Sequence, residues 1–327
     1  MQICKVFIFL ASLSFIKLQL IFTLLVSIYK QNSIESGVGN LIKSQALNMI
    51  VTDQDLQYFV TTLKNVTKYD FTEYSDKSLK RRLLKVLTDC NLDLTGLLTN
   101  IKQDNNFAEK IVREITVNTT ELFRDPQVWH LLRSRILPRF KNNKTINIWH
   151  AGCSTGQEVY SMMILLNEME MLDRAKIFAT DLNTDVLDAS KKGVYKYRFN
   201  IGYLDNFDKV IKQNPLNFEE YNEVPYEKYF DIDKLKDTIT IKKFLTDKPI
   251  FRKHDLVKDG NLFFAKFDLI LCRNVIIYFN YNLQNKVFEL FQSNLYPKGC
   301  LLLGMHETIL GPWANKFEKI GQAYVKK

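Results

Sequence analysis

From Ile148 to Glu158 the chain reads I-W-H-A-G-C-S-T-G-Q-E: a β-type run, a turn of small residues, then helix-compatible sequence. Gly152 and Gly156 have no Cβ and tolerate backbone angles closed to other residues, so a ligand can lie close against the main chain there. A helix starting after such a turn points unpaired N–H groups at that ligand. About two dozen residues on, Lys176 to Asp181 reads as a second strand ending in an acid. In doubly wound α/β folds a carboxylate at that place accepts hydrogen bonds from ribose hydroxyls. Many glycine turns are only tight turns, so it is the pairing of turn and carboxylate that points to a nucleotide-like ligand.

The spacing is G-x-S-x-G, not the G-x-G-x-x-G that brings a helix against a pyrophosphate. With no pyrophosphate to cradle, an adenosyl sulfonium such as S-adenosylmethionine suits the turn better than a dinucleotide. The rest of the chain extends the same architecture. Strand and helix patterns alternate over Ile146–Trp149, Val159–Met171, Ile177–Thr180 and Thr184–Lys192, the signature of a mostly parallel sheet. Residues 193–250 break the rhythm and predict an inserted, strand-rich lobe. The alternation resumes at Phe267–Cys272, apolar enough for a sheet centre, with a helix over Leu283–Leu295, a strand over Gly299–Met305 and an antiparallel edge over Phe317–Val325.

Ahead of this lies a helical unit at 49–115. Thr52 is placed to cap a helix whose Leu56, Phe59, Val60 and Leu63 share one face. A second helix runs through Leu79, Leu83, Leu84 and Leu87, with Lys77, Lys80, Arg81 and Arg82 near its start, and shorter helices follow at Leu94–Ile101 and Phe107–Ile115. A basic run of this kind is ordinarily a solvated face; its functional alternative is docking onto an acidic partner. Thr116–Thr120 reads as a connector, and Asp125-Pro126 as the cap and first turn of a further helix. Residues 1–48 stand apart. Val6–Tyr29 is mostly apolar and long enough to cross a bilayer, so the segment reads as a membrane tether or as an extension ahead of a start at Met49, followed by a polar linker.

Composition narrows the partners. The net charge of +9 favours acidic surfaces, yet no zinc-finger spacing or basic patch laced with stacking aromatics argues for nucleic acid. The five cysteines are scattered and never spaced C-x-x-C, which fits reduced thiols in the cytoplasm and implies no metal site.

Three segments turn this general fold into a resemblance. Thr116 to Pro126 resembles the T-x-N-x-T-x-F-F-R segment of the CheR family of chemotaxis receptor methyltransferases. The glycine turn is similar to that family's A-G-C-S-T-G-E-E-P-Y-S, with Gln157 and Val159 as departures, and Phe267–Phe279 resembles its F-D-x-I-x-C-R-N-V-x-I-Y-F. The resemblance covers roughly residues 50–327 in family order. It implies an all-α N-terminal domain, then a class I (Rossmann-like) methyltransferase domain at 116–327 with an inserted β-subdomain. It further implies S-adenosylmethionine as donor, S-adenosylhomocysteine as product, and glutamates on the cytoplasmic helices of chemotaxis receptors as acceptors, making the protein a protein-glutamate O-methyltransferase.

Carried over residue by residue, the resemblance places Asn118, Thr120, Arg124, Gly152, Glu158, Asp181, Arg273 and Asn274 at the cofactor, with Asp255-Leu256 where the family has Asn-Leu beside the adenine. The resemblance puts Tyr278 near the methyl-transfer centre; beyond it, charge suggests that Arg124 or Arg273 steers the acceptor carboxylate and that the basic helix with Lys80, Arg81 and Arg82 docks on an acidic receptor surface. Taken singly, Arg124 could pair with Asp125, Tyr278 could be a packed aromatic and Asp181 a helix cap; the joint fit to one pattern is what favours function. Residue types alone leave open another carboxylate acceptor, a non-catalytic S-adenosylmethionine-binding adaptor, or a nicotinamide-dependent dehydrogenase.

Overall fold

The computed structural model describes residues 51–116, 119–214 and 217–327. The apolar stretch Val6–Tyr29 lies outside the described residues, among which no helix is long and apolar enough to cross a membrane.

Four helices open the described chain: α1 (Asp53–Val66), α2 (Asp76–Cys90), α3 (Leu94–Gln103) and α4 (Asn105–Ile115). Thr52 caps α1 reciprocally, its Oγ1 accepting from the Asp55 N–H while Asp55 accepts from the Thr52 N–H. Such a box is worth about 1 kcal/mol. The expected face of Leu56, Phe59, Val60 and Leu63 is buried. On α2 the buried set is Leu79, Leu83, Val86 and Leu87, so Val86 takes the place expected for Leu84.

After α5 (Pro126–Leu131) come β1 (Ile146–Ala151), α6 (Gln157–Glu168), β2 (Ala175–Asp181) and α7 (Thr184–Lys192). Asp125 precedes α5 in a left-handed conformation but makes no side-chain cap; its carboxylate is engaged elsewhere, as described below. The region at 193–250 holds β3 (Val194–Lys196), α8 (Tyr197–Phe207), β4 (Gln213–Asn214), β5 (Asn217–Tyr221), β6 (Phe230–Asp233), β7 (Thr238–Ile241) and α9 (Lys243–Thr246). Strands β3, β7 and β6 form a small antiparallel sheet, while β4 and β5 form a separate pair. The helix α8 was not expected there. Asn200 and Gly202 are weak helix formers, yet Leu204 and Phe207 are buried, and the Phe207 ring packs edge-on against Phe123.

The chain returns to the main sheet as β8 (Ile250–Lys253), then β9 (Phe267–Cys272), α10 (Tyr281–Asn294), β10 (Leu295–Leu303), β11 (Phe317–Ile320) and β12 (Ala323–Lys326). The main sheet has the order β11-β12-β10-β9-β1-β2-β8. Its five strands from β10 to β8 are parallel, and β12 runs antiparallel to both β10 and β11. From β1 the chain moves outward to β2 and β8, then crosses to β9 and β10 on the other side. The order therefore reverses between β1 and β9, and the crevice beyond the C-terminal ends of those strands is where such sheets bind ligands.

Candidate functional site

A cleft opens at that switch point, roofed by the helical unit. Its floor is the glycine turn after β1. The N–H groups of Gly152 and Cys153 both donate to the Thr180 carbonyl, at 2.8 and 2.9 Å, which ties the turn to the end of β2. Gly152, Ser154 and Gly156 all have positive φ, of 81°, 50° and 90°. Space is as restrictive as torsion: a Cβ on Gly152 would lie 2.5 Å from Val275 Cγ2, and one on Gly156 would lie 2.8 Å from Ser190 Oγ.

Asp181 closes one side. Its carboxylate accepts from the Ser154 N–H at 2.8 Å and the Asn183 N–H at 3.0 Å. Burial pushes this carboxyl up from its usual range, against the pull of those N–H groups. Capping of α7 falls to Asn183, which accepts from the Asp185 N–H at 2.9 Å. Each carboxylate oxygen of Asp181 keeps a second lone pair for a ligand hydroxyl. Beyond it lie Asp255 and Leu256, and Tyr74 from the loop ahead of α2. Burial, then the charge of Asp259, raises the Asp255 carboxyl; burial, then Asp255 and Asp181, raises the Tyr74 phenol.

The other side is built around Arg273, which follows β9. Its Nη1 donates to Glu158 at 3.2 Å, and its Nη2 donates to Asp125 and to the Arg124 carbonyl, both at 2.9 Å. Glu158, in the first turn of α6, also accepts from His150 Nδ1 at 2.9 Å. Burial would raise the Glu158 carboxyl, but the His150 hydrogen bond and the Arg273 charge outweigh it and hold the group ionised below its usual range. His150 therefore carries its proton on Nδ1. Four polar side chains on three segments form one chain: Asp125, Arg273, Glu158, His150.

This geometry sorts the expected residues. Thr120, Arg124, Gly152, Glu158, Asp181, Asp255, Leu256, Arg273, Asn274 and Tyr278 all line the cleft. Asn118 lies outside the described residues. Arg273 does not suit the expected steering of an acceptor, because its guanidinium is 2% exposed and already bound to two carboxylates. Arg124 differs: among the described residues its guanidinium makes no ion pair, and the feared pairing with Asp125 is pre-empted by Arg273. The hydroxyl of Tyr278 likewise has no partner among them.

The basic run on α2 does not form one face, because consecutive helical residues lie about 100° apart. Lys80 pairs with Asp53 at 2.6 Å, Arg82 lines the cleft with its Nε buried and unpartnered, and Arg81 faces solvent with Lys77. Gln157 is buried and accepts from Thr155 Oγ1 at 2.7 Å. Tyr74 and Ser154 are among the lining residues that were not anticipated. The Ser154 Oγ is buried with no partner; its place inside the glycine turn was the available signal.

Comparison with known proteins follows the same division of the chain. A model of the family described as CheR methyltransferase, SAM binding domain, matches residues 118–206 and 210–325. One described as the CheR methyltransferase all-alpha domain matches residues 54–116. Among curated relatives, Cher3 of Pseudomonas putida is 33% identical over 272 residues, covering 82% of this chain and 94% of that protein. A chemotaxis protein methyltransferase of Listeria innocua is 30% identical, covering 80% of this chain and 92% of its own. Another, of Borreliella burgdorferi, is 29% identical with 81% and 92% covered.

Proposed function

The chain belongs to the CheR methyltransferase family, and from that premise we propose that it methylates glutamate side chains of chemotaxis receptors to give methyl esters. The observation that carries this reading is that the Arg124 guanidinium and the Tyr278 hydroxyl, each without a partner among the described residues, line the same cleft as the glycine turn and Asp181.

The residues present fit S-adenosylmethionine. Asp181 offers acceptors to ribose hydroxyls, the orphaned Ser154 Oγ lies in the turn beneath, and Asp255 with Leu256 offers an acceptor and an apolar surface to the adenine. Asp255 supplies no amide donor where the family has Asn. The cofactor supplies an electrophilic methyl group on a sulfonium, and everything else is the work of this chain. Arg124 draws the acceptor carboxylate in by charge-assisted hydrogen bonds, and Tyr278 orients it by one more. Arg124 and Tyr278 together align the acceptor oxygen, with the roof and floor on either side of it. When bound, S-adenosylmethionine would supply the methyl carbon to that oxygen, the electron pair of the sulfur–carbon bond staying on sulfur. No proton moves, because a glutamate is ionised near neutrality.

The arrangement agrees with a reaction needing no base. His150 is committed to Glu158. His254 lines the Asp255 side of the cleft, and its Nε2 is engaged with the Gly260 carbonyl at 2.8 Å. The exposed pair Lys77 and Arg81, one turn apart on α2, is the part of the basic run available to an acidic receptor surface.

Incubating the protein with radiolabelled S-adenosylmethionine and receptor-bearing membranes tests the reading. Label on receptor that is released by mild base is the expected result. Base-stable label, or label on a small acid instead of receptor, would overturn it.

A further inference from the structure

The loop after β9 carries Arg273, Asn274 and Tyr278 into the cleft, but its path is held by a side chain that does not line the cleft at all. Glu307 follows β10 and is 4% exposed. One carboxylate oxygen accepts the N–H groups of Gly304, at 2.7 Å, and Asn274, at 2.8 Å. The other accepts those of Val275, at 2.9 Å, and Ile277, at 3.3 Å. No ion pair with lysine or arginine is formed among the described residues, so four peptide dipoles hold the group.

The loop needs such a clamp. Asn274 has a φ of 59°, a conformation that side chains other than glycine enter only when their surroundings impose it. Directly after it, Val275 packs against Gly152, whose own turn is tied independently to the Thr180 carbonyl by two N–H groups. The approach of Glu307 is close: a Cβ on Gly304 would stand 2.7 Å from its Oε2 and 3.0 Å from the Asn274 nitrogen. Arg273, tied to Glu158 and Asp125, fixes the start of the loop; Glu307 holds the N–H groups of Asn274, Val275 and Ile277, and Gln284 Nε2 donates to the Ile276 carbonyl at 3.0 Å.

We propose that Glu307 is a positioning residue of the methyl transfer, its carboxylate holding the 274–277 backbone so that Tyr278 meets the acceptor in register with the donor methyl. This deepens the methyltransferase reading above and rests on it. The requirement is for two acceptor oxygens, not for bulk. Glutamine has the same shape but turns an NH₂ toward two of the four N–H donors, so Glu307→Gln removes the clamp while leaving the packing.

The test compares wild type, Glu307→Gln and Gly304→Ala as full chains, measuring receptor methylation, calorimetric S-adenosylmethionine binding and folding by circular dichroism. Gly304→Ala displaces the carboxylate without deleting it. The expected result is a kcat lower by about 10- to 100-fold, the scale of a misplacement near 1 Å, with the S-adenosylmethionine Kd changed less than about 3-fold because Asp181 and the glycine turn are untouched. Wild-type kcat in either folded variant overturns the proposal, and if Glu307→Gln does not fold, Gly304→Ala decides it. Cofactor affinity lost in step with kcat also overturns it, since Glu307 would then support the cofactor site as a whole. Failure of the wild type to methylate receptor counts against the parent reading instead.

Discussion

Gly152→Ala places one methyl group where the glycine turn meets Val275 of the loop after β9. Two costs arise. The first is torsional: Gly152 has a φ of 81°, and an L-residue in the left-handed region pays about 1–2 kcal/mol. The second is steric, because the new Cβ would lie 2.5 Å from Val275 Cγ2, shorter than real carbon contacts allow. Relief requires moving either the turn, tied by two N–H groups to Thr180, or the loop, held by Glu307. Overpacking of this kind costs about 1–3 kcal/mol, so the sum is about 2–5 kcal/mol. For a chain of this size that lowers the melting temperature by about 3–7 °C. Calorimetric titration should show weakened S-adenosylmethionine binding as well, since the displaced atoms are cleft atoms. A double-mutant cycle separates the costs: Val275→Ala removes the clashing methyl, so Gly152→Ala in that background should recover about 1 kcal/mol or more and retain the torsional part. A Gly152→Ala protein that melts within about 2 °C of wild type and binds the cofactor normally would refute the reasoning.

Arg124→Ala should reduce receptor methylation by about 100-fold or more, the loss typical of one electrostatic contact to the reacting group, with little change in melting temperature because the side chain makes no ion pair; unchanged kcat would remove it from the centre. Glu158→Gln should destabilise the protein at pH 7 by about 2–4 kcal/mol, since it breaks one buried partner of Arg273 while Asp125 remains. Its pH dependence has a definite sign. The Glu158 carboxyl is held below its ordinary value of 4.5, so its contribution is present above that pH and lost as pH falls through the lower folded value. Denaturant unfolding followed from pH 7 down to about 3, through the range below the ordinary glutamate value, should therefore show a shallower acid loss in Glu158→Gln than in wild type, and parallel curves would contradict the assignment. Reversing Lys77 and Arg81 together to Glu should raise KM for receptor and leave cofactor affinity unchanged; equal loss of both would count against docking by this face.

Much of the site was legible because its determinants are local. The glycine turn, the strand ending in Asp181 and the Thr52 capping box each declare themselves within a dozen residues. What escaped depends on partners far apart in the chain. Arg273 and Asp125 are 148 positions apart, and no pattern around Asp125-Pro126 distinguishes a helix cap from a distant ion-pair partner. Glu307 reads as an isolated acid after an apolar strand, since backbone N–H groups leave no mark in sequence. Strand β8 went unseen because it lies at the sheet edge, where Arg252 and Lys253 replace the apolar run of a central strand. The basic run on α2 was visible, but three adjacent residues were given one role where helical geometry gives them three.

The cleft belongs to neither core alone, and that has an energetic consequence. Its roof comes from Tyr74, Ser78, Leu79 and Arg82, its floor from the sheet. A handful of polar and ring contacts join the two parts: the Ser75 N–H donates to the Tyr278 carbonyl at 2.8 Å, the Asn280 N–H to the Glu73 carbonyl at 2.9 Å, Lys253 Nζ to the Tyr69 hydroxyl at 2.8 Å and Lys258 Nζ to the Lys68 carbonyl, and Tyr74 packs edge-on against Phe279 with ring centroids 5.0 Å apart. Lys286 with Glu73 at 2.6 Å and Arg113 with Asp185 at 3.2 Å are partly exposed ion pairs, worth about 0–1 kcal/mol each. Ring contacts add about 0.5–1.5 kcal/mol. Docking of the roof is therefore a matter of a few kcal/mol. A ligand touching both roof and floor at 100 times its Kd stabilises the docked arrangement by about 2.7 kcal/mol, a comparable amount. Because the Ser75–Tyr278 hydrogen bond is one of those few contacts, whatever holds the roof in place also holds the residue that meets the acceptor.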